Sequence, residues 1–369
     1  MKRKLKTGFT TGTAAAAAAK GALRCLLEGN IPASVTIELL NGDTLPIAIH
    51  RCERMAQNSA RCTVIKDAGD DPDVTHLAEI GAEVHLEQPH SAGRIQANAP
   101  DRIQITGGSG VGKVTKPGLE MPPGEAAINS GPRKMIRQAV TEILGRHQVQ
   151  HAVRVEVFVP RGEEIARKTL NARLGILGGI SILGTTGLVR PMSHDAFIAT
   201  IESALSVARA SGNKSVVLTT GRRSERYARQ LWPRLPEEAF VQIGDFFRRS
   251  LEIAVSHSFA RVTLAVFFGK AVKMAQGVPH THAARSRLTL NSLSGWAMKT
   301  TRNSELSQNI LAANTARHAF DMIYPRHPDV IAFVGKQLIG SAMMFAGKNV
   351  QIESVIFDYD GKVAYDSAK

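Results

Sequence analysis

The sequence predicts a chain that combines α+β and α/β structure in two domains. We expect an N-terminal mixed α/β, sandwich-like domain over residues 1–155 and a C-terminal domain over residues 156–369 with a Rossmann-like, mostly parallel sheet and flanking helices. The length of 369 residues suffices for two domains of ordinary size. The first part combines an alanine-rich helix with hairpin signals and a glycine-rich loop. In the second part strands and helices alternate and glycine follows the strands, which is typical of parallel sheets.

The composition indicates an anionic partner. The chain carries 46 Lys and Arg against 32 Asp and Glu, which gives a formal net charge of +14. Aromatic residues make up 5% and do not interleave with the basic ones, which disfavours a protein that stacks nucleic-acid bases. The basic start MKRKLK does not lead into an apolar segment, and no apolar run approaches the roughly 20 uncharged residues of a membrane span. We therefore expect a cytoplasmic protein whose partner is neither nucleic acid nor a membrane.

Cysteine and histidine give no metal signature. The three cysteines, Cys25, Cys52 and Cys62, are odd in number and form no CxxC pair, which suits a reducing compartment. His280 and His282 form an HxH pair, but this pair alone is a weak signal for a metal. The sequence therefore predicts no metal bound by the protein itself.

The first element is a helix within residues 10–30, TTGTAAAAAAKGALRCLLEGN, with Thr13 as its N-cap and Gly29 at its end. The residues before and at its start carry hydroxyls and backbone N–H groups at the positive end of the helix dipole, which makes an anion site. The alternative is a well-capped helix that packs tightly on a sheet. The residues of this predicted anion site are Thr10, Thr11, Gly12 and Thr13.

A hairpin over residues 34–49 precedes a strand, an acidic turn and a second strand within residues 61–89. Four carboxylates and a histidine crowd the turn. The spacing matches no calcium loop, and Asp-Asp-Pro-Asp is also ordinary turn chemistry, but a carboxylate here could lie near a cation such as a sulfonium. The turn contains Asp67, Asp70, Asp71, Asp73 and His76.

The stretch TGGSGVGKVTKPG, residues 106–118, follows a predicted strand and comes within one residue of a phosphate-binding loop. Gly107, Gly112 and Lys113 fit that template, whereas Val114 replaces the required hydroxyl. Pro117 prevents the helix that should follow. A nucleotide-binding enzyme that uses residues 107–113 is therefore the alternative function, and a glycine-rich corner is the simpler interpretation.

Residues 124–148 predict a second helix, with Pro132 in its first turn and the cations Arg133, Lys134 and Arg137 nearby. Cations at a helix N-terminus oppose the helix dipole, so they indicate an anionic ligand better than they explain stability. The strand VRVEVFVP, residues 153–160, follows, and we place the domain boundary near it.

The second part begins with the glycine-rich segment LGILGGISILGTTGLVRPMS, residues 174–193, which offers a wall without side chains to a large flat ligand or serves as tight turns. A helix over 194–210 and strands at 215–220, 240–243 and 261–268, each before a helix, come next. Asp245 follows one of these strands and is well placed to bind a ribose or amino group. Helices at 304–323 and 328–347 and a last hairpin complete the chain. No motif for a catalytic nucleophile is present.

Taken in order, the motifs GFTTGTAAAAAAKGA, VIKDAGDDPDVTH, ITGGSGVGKVTKPGL, GEAAIN with PRKMI, and LGILGGISILGTTGLVRPMS resemble those of the cobalt-precorrin-5B C(1)-methyltransferase family of anaerobic cobalamin biosynthesis. The resemblance runs from Thr7 beyond Arg190 and continues through GKAVKMAQGVPHTH. One departure is Ala14, where the family usually has Cys, and we infer that this position serves packing or close approach.

The resemblance implies methyl transfer from S-adenosyl-L-methionine to carbon C-1 of cobalt-precorrin-5B, which gives cobalt-precorrin-6A, with the cobalt carried by the substrate. The acetate and propionate carboxylates of such a corrinoid account for the +14 charge. The electron-rich ring attacks the methyl group directly, so no protein nucleophile is needed. Catalysis is then mostly positioning and desolvation.

We assign three groups of candidate residues on this basis. Substrate carboxylates are expected at Thr10, Thr11, Gly12, Thr13, Lys113, Lys116, Arg133 and Lys134. The cofactor or the ring is expected at Gly178, Gly179, Gly184, Thr185, Thr186 and Asp245. The neighbours of the sulfonium, or a proton acceptor, are expected among Asp67, Asp70 and Asp71.

Overall fold

The computed structural model of the chain describes residues 5–87, 102–282 and 286–369, so the first four residues of the basic start lie outside the described residues. Within these ranges the structure is mixed α/β, with eleven α-helices and several sheets. The chain forms two compact units, Met1–His194 and Asp195–Lys369. The boundary thus follows residue 194, whereas the sequence predicted it after residue 155.

The first unit has the following elements in chain order. They are β1 (Gly8–Phe9), α1 (Thr11–Glu28), β2 (Ser34–Glu38), β3 (Thr44–Ala48), β4 (Arg51–Ala56), β5 (Ser59–Ile65), β6 (Glu79–Glu87), β7 (Ile103–Gly107), β8 (Gly110–Val111), β9 (Lys113–Val114), α2 (Ser130–Arg146), β10 (Ala152–Phe158), α3 (Gly162–Ala166), β11 (Ile176–Leu177), β12 (Gly179–Ile180) and β13 (Leu188–Val189).

A five-stranded sheet with the order β4-β5-β6-β10-β7 supports the first unit. The β10 strand runs antiparallel to β6 and parallel to β7, so it is an interior strand of this sheet. A boundary after residue 155 would cut β10 in two, which is why the predicted boundary is wrong. The alternation of apolar and polar residues in β10 marked a strand, but it could not show which strands pair with it.

Helix α1 packs against β5, β6 and α2, and the six residues Ala14–Ala19 are fully buried between them. Such small side chains let a helix approach its neighbours closely, so Ala14 serves packing, as inferred from the sequence. The N-cap is Thr10 and not Thr13, because Thr10 Oγ1 accepts the N–H of Thr13 at 3.2 Å. Gly29 ends the helix in the left-handed conformation, as predicted.

Cys52 and Cys62 form a disulfide between neighbouring strands. They are register partners in the antiparallel pair β4 and β5. Cys25 is free and buried. A search for CxxC spacing could not predict this pair, because strand register and not sequence proximity brings the two thiols together.

The second unit has the following elements. They are α4 (His194–Ala210), β14 (Ser215–Thr219), α5 (Arg222–Leu231), β15 (Phe240–Gln242), α6 (Phe247–Ser256), β16 (Arg261–Phe267), α7 (Phe268–Ala275), α8 (Ser286–Thr301), α9 (Ser304–Leu311), α10 (Ala316–Ile323), α11 (Pro328–Ala346), β17 (Gln351–Phe357) and β18 (Val363–Asp366).

Its sheet has the order β15-β14-β16-β17-β18, in which β15, β14, β16 and β17 are parallel and β18 is antiparallel. The predicted alternation of strands and helices from residue 215 onward is therefore present. The predicted helix over 304–323 is divided into α9 and α10, because Thr315 caps a new helix by accepting the N–H of His318 at 3.1 Å. Helix α8 was not predicted.

Helix α11 is the one helix of the described residues that is long and apolar enough to cross a membrane, by length and composition only. Val330, Val334 and Leu338 are fully buried in the core of the second unit. A core helix with an apolar face meets the same criterion, so this feature is weak evidence for a membrane span.

Candidate functional site

The glycine-rich motifs assemble in the first unit. We call residues 107–114, 125–132 and 175–190 the glycine assembly. Its strands β8 and β12 pair in parallel, β9 and β11 pair antiparallel, and the N–H of Gly112 donates to Ile180 O at 2.9 Å. A Cβ atom on Gly179 would overlap the backbone of Gly110. The glycines therefore permit two backbones to touch. Segment 174–193 belongs to the first unit and not to the C-terminal domain in which the sequence predicts it.

Carbonyl groups of this assembly accept hydrogen bonds from the donors at the N-terminus of α1. Leu183 O accepts the N–H of Gly12 at 3.1 Å, and Gly187 O accepts the N–H of Thr10 at 3.0 Å and the hydroxyl of Thr13 at 2.7 Å. These donors are buried and already bonded within the protein. The four residues predicted to bind substrate carboxylates, Thr10, Thr11, Gly12 and Thr13, therefore bind the protein's own carbonyls instead.

The acidic turn, residues 67–73, is bonded to residues 6 and 192 of the first unit. Asp67 forms an ion pair with Lys6 at 2.6 Å, Asp70 accepts the backbone N–H of Lys6 at 2.7 Å, and Asp71 accepts that of Met192 at 2.9 Å. The hydrogen bond from Lys6, assisted by the N–H of Gly69, lowers the pKa of Asp67. A carboxylate with a lowered pKa is a weak base, so Asp67 is unsuited to accept a proton.

A buried ion pair that the sequence did not reveal braces this turn. The side chain of Lys66 is 1% exposed and lies 2.7 Å from Asp73. Burial opposes the charge of Asp73, but the ammonium of Lys66 and hydrogen bonds from Thr75 outweigh burial and lower the pKa of Asp73. A lysine at the end of a strand usually lies on the surface, so no sequence signal distinguished Lys66. Within the described ranges no group of three His, Cys, Asp or Glu residues could hold a metal ion.

The stretch that resembles a phosphate-binding loop does not have the structure of one. Two short strands, β8 and β9, follow β7 where the motif requires a helix. The N–H groups of Gly108, Gly112 and Val114 donate to Val157 O, Ile180 O and Glu125 O. Because the amides that would cradle a phosphate are occupied, the nucleotide-binding alternative is not supported.

The predicted substrate-binding cations differ in their surroundings. Lys113 and Lys134 are exposed, and neither forms an ion pair within the part of the chain that the structure describes. The stem of Lys116 packs over Gly175. Arg133 donates to Ile128 O at 2.8 Å and to Ile105 O at 3.2 Å, which fixes its guanidinium on the protein.

The predicted cofactor residues of the first unit also separate into two groups. A Cβ on Gly184 would overlap Thr10, so Gly184 serves internal packing, as Gly179 does. Gly178 instead faces open space and follows Leu177, which is 51% exposed, whereas the next residue, Gly179, is buried. Thr185 and Thr186 are exposed, and Thr186 caps a turn by accepting the N–H of Leu188 at 3.2 Å.

Asp245 lies in the second unit, after the carboxyl end of β15. Burial opposes its charge, but hydrogen bonds from Lys270 and Thr281 outweigh burial and lower its pKa. Both bonds reach Oδ1, with Thr281 Oγ1 at 2.9 Å, and within the described residues no bond reaches Oδ2. The carboxylate is therefore oriented and keeps one oxygen able to accept a hydroxyl. The rings of His280 and His282 lie 6.4 Å apart.

Comparisons with known proteins agree with these motifs. The family model described as CbiD matches residues 1–191, and the model described as the CbiD C-terminal domain matches residues 280–368. A protein of Priestia megaterium is 42% identical over 97% of this chain and 95% of its own length, and one of Salinispora arenicola is 46% identical over 86% and 80%. Both are named cobalt-precorrin-5B C(1)-methyltransferase.

A crystal structure of the cobalamin biosynthesis protein CbiD from Archaeoglobus fulgidus is 28% identical, with a TM-score of 0.40, over 72% of this chain and 78% of that one. The family models cover more than half of the chain, and the curated relatives match it nearly from end to end. The chain therefore belongs to the CbiD family of cobalt-precorrin-5B C(1)-methyltransferases.

Proposed function

We propose that this chain transfers a methyl group from S-adenosyl-L-methionine to carbon C-1 of cobalt-precorrin-5B and so forms cobalt-precorrin-6A. The names of relatives that are 42% and 46% identical support the reaction. The observation that carries the proposal is that the first unit has both exposed cations without an acidic partner among the described residues, Lys113 and Lys134, and backbone that no side chain covers, at Gly178. These features suit an anionic, flat corrinoid.

The substrate contacts in this proposal come from four cations of the first unit, of which Lys113 and Lys134 have no acidic partner within the described residues, whereas Arg133 pairs with Glu125 at 3.4 Å. Lys113 and Lys134 reach substrate carboxylates as mobile ammonium groups, whereas Arg133 offers a fixed guanidinium. Lys116 adds charge while its stem packs over Gly175. The buried Thr10–Thr13 segment packs behind the glycine assembly and does not touch the ligand in this proposal.

The ring in this proposal lies against the exposed edge of the glycine assembly. Gly178 has no atom within 4 Å of where a Cβ would be, and two leucines of the glycine assembly, Leu177 and Leu183, are each 51% exposed. A flat macrocycle gains contact with exposed apolar side chains and with backbone that no side chain screens. Thr185 and Thr186 supply hydroxyls at the same edge.

S-adenosyl-L-methionine supplies a methyl group activated by a positively charged sulfur. The residues present fit such a donor in one respect, since Asp245 is an oriented carboxylate with a free oxygen for a ribose hydroxyl or an amino group. Asp70 and Asp71, in the first unit, are a separate candidate for contact with the positive sulfur, as an alternative to Asp245, and we do not assign them to proton transfer. Each already accepts a backbone N–H within the protein.

The chain needs no nucleophile of its own for this reaction, and its residues bind, orient and exclude water. Holding two reactants in line converts a bimolecular step into a unimolecular one and supplies much of the rate. Removing water from the reacting groups adds to this effect. A cytoplasmic location, with neither nucleic acid nor a membrane as partner, remains our expectation.

The test is methyl transfer from labelled S-adenosyl-L-methionine to a trapped pool of cobalt-precorrin-5B, followed by mass analysis of the product. We expect the label in a product that is heavier by one methyl group. An unlabelled corrinoid after complete incubation with the purified chain would contradict the proposal. As a check on the site, Arg133→Ala should weaken corrinoid binding more than donor binding.

A further inference from the structure

The parallel sheet of the second unit changes its direction of growth at β14. From β14 the chain passes through α5 to β15 on one side, and from β15 it passes through α6 to β16 on the other side of β14. Ala228 of α5 shares a buried cluster with Val217, whereas Ala271 of α7 shares one with Leu218. Successive residues of a strand point to opposite faces, so the helices that follow β14 and β16 lie on opposite faces of the sheet. A crevice therefore opens outside the carboxyl ends of β14 and β16, which is where open α/β sheets bind their ligands.

Asp245 lies at this crevice. The N–H of Ile243 donates to Thr219 O at 2.8 Å, which places the end of β15 beside the end of β14. Two residues later, the side chain of Asp245 accepts hydrogen bonds from Lys270 of α7 and from Thr281. Because β14 lies between β15 and β16 in the sheet, the contact between Asp245 and Lys270 crosses the carboxyl end of β14.

The carboxylate of Asp245 is held in an orientation that suits a hydroxyl group. The buried Thr281 donates its hydroxyl to Asp245 Oδ1 at 2.9 Å and its N–H to Asp245 O at 2.9 Å, and Lys270 also donates to Oδ1. Among the described residues no hydrogen bond reaches Oδ2, and a carboxylate oxygen can only accept one. Since Lys270 compensates the charge of Asp245, a neutral hydroxyl suits Oδ2 better than a second cation.

Gly221, two residues after the end of β14, leaves space in the crevice. Its φ of 165° and ψ of −179° are extended backbone that any residue adopts, and a Cβ there would meet no atom within 4 Å. Neither the backbone conformation nor internal packing therefore requires glycine at this position. The side chain of Arg223 lies 4.8 Å from the ring centre of Phe267 and donates to Tyr359 O, so it bounds the crevice on the side of β17. The backbone at Gly221 is open to a flat group.

We infer that this crevice binds the nucleoside part of the methyl donor, with a ribose hydroxyl on Asp245 Oδ2 and the base against the backbone at Gly221. The inference rests on the proposed function for the identity of the ligand. It assigns Asp245 to the ribose and not to the amino group of the donor. Recognition of the donor then belongs to the second unit, whereas the proposed corrinoid contacts, Lys113 and Lys134 among them, belong to the first.

The first experiment titrates the chain calorimetrically with S-adenosyl-L-homocysteine, which keeps the nucleoside and has no methyl group to transfer. We expect Gly221→Leu to weaken binding at least about tenfold, because the leucine side chain fills the space that the ligand takes. The urea midpoint should not change, since the new Cβ meets no atom within 4 Å. The matched control is Gly340→Leu, at an exposed position of α11 where a Cβ also meets nothing, and it should change the affinity by less than about twofold.

The second experiment tests the ribose contact with the same ligand. Asp245→Asn should weaken binding of S-adenosyl-L-homocysteine about tenfold, because a hydroxyl bonded to a charged acceptor contributes more than one bonded to a neutral amide. The matched control is Asp366→Asn in the same unit, where Asp366 lies 3.9 Å from Lys369. It should change the affinity by less than about twofold, since the pair it removes is near the surface.

Unchanged affinity in Gly221→Leu, or no binding of S-adenosyl-L-homocysteine to the unaltered chain, would overturn the inference. A lowered urea midpoint in Gly221→Leu would contradict the open space on which it depends, and equal losses in Asp245→Asn and Asp366→Asn would remove the ribose contact. In each case, labelled methyl transfer to the corrinoid by the unaltered chain would leave the proposed function standing. Binding that depends on Gly221 and Asp245 in a chain without methyl transfer would instead overturn the proposed function and leave the crevice as a nucleoside site.

Discussion

Two neighbouring helices of the first unit, α1 and α2, begin beside the same glycine assembly, but the surroundings of their positive N-terminal ends differ. At the start of α1, backbone carbonyls of residues 183 and 187 occupy the N–H and hydroxyl donors. At the start of α2, the cations Arg133, Lys134 and Arg137 add positive charge, and Lys134 and Arg137 have no acidic partner within the described ranges. A helix N-terminus binds an external anion only where the protein has left its donors open.

This difference predicts that substitutions at the two helix starts affect the stability of the fold and the binding of the corrinoid separately. We call the start of α1 together with the acidic turn 67–73 the paired region, and the cationic side chains at the start of α2 the cationic face. Substitutions in the paired region should lower the free energy of unfolding and leave corrinoid affinity unchanged. Substitutions in the cationic face should lower corrinoid affinity and leave the free energy of unfolding unchanged.

The largest effect is expected for Gly12→Val in the paired region. A Cβ at this position would lie 2.6 Å from Pro132 Cγ, so the substitution forces the starts of α1 and α2 apart. We expect a loss of about 3 kcal/mol in the free energy of unfolding, measured by urea denaturation.

The control for this substitution is Gly145→Ala in α2, where a Cβ would meet nothing within 4 Å. Alanine at an open helical position should stabilise the protein by about 0.5 kcal/mol. An equal loss in both variants would show that close approach of the two helices is not what requires Gly12.

A smaller loss is expected for Lys66→Met, which leaves Asp73 without its ion-pair partner. The cost should be about 2 kcal/mol at neutral pH, below that of a fully buried pair because Asp73 is 27% exposed. The lowered pKa of Asp73 stabilises the fold above its unfolded pKa of about 3.9, and this contribution is lost as the pH falls through the folded value.

Without Lys66, burial still raises the pKa of Asp73, and only the hydrogen bonds from Thr75 oppose it. The difference in stability between Lys66→Met and the unaltered chain should therefore shrink as the pH falls below about 4. Urea midpoints between neutral and acidic pH measure this. A difference that stays constant over that range would contradict the assigned ion pair.

Thr13→Val tests whether the start of α1 touches the substrate. The substitution removes the hydroxyl that donates to Gly187 O at 2.7 Å and keeps the side-chain shape, so it should cost about 1 kcal/mol of stability. The KM for the corrinoid should change by less than about twofold. A large rise in KM with unchanged stability would return Thr13 to the substrate site.

The smallest effect is expected in the cationic face. Lys134→Ala should raise the KM for the corrinoid about threefold, because an exposed ion pair contributes little free energy in water. The effect should disappear as salt is added, since salt screens exposed charges, and thermal unfolding should not change. A lowered melting temperature would instead assign Lys134 to the fold.

Much of the local structure followed from the sequence, because it depends on near neighbours. The alanines of α1, its end at Gly29, the hairpin over 34–49 and the alternation of strands and helices after residue 215 all have local physical causes. The break of the phosphate-loop pattern at Val114 and Pro117 also correctly excluded a helix there. The motifs in their order were specific enough to indicate the family.

Only the tertiary structure decided which predicted anion site is open. The hydrogen bond that joins Thr13 to Gly187 spans 174 residues, and no local sequence pattern predicts such a bond. The same holds for the Cys52–Cys62 register, for the place of β10 inside its sheet and for the buried Lys66. The sequence alone determined where donors and charges occur along the chain. Folding determined which of them the protein satisfies itself, because a backbone carbonyl can fill a helix N-terminus but cannot neutralise an arginine.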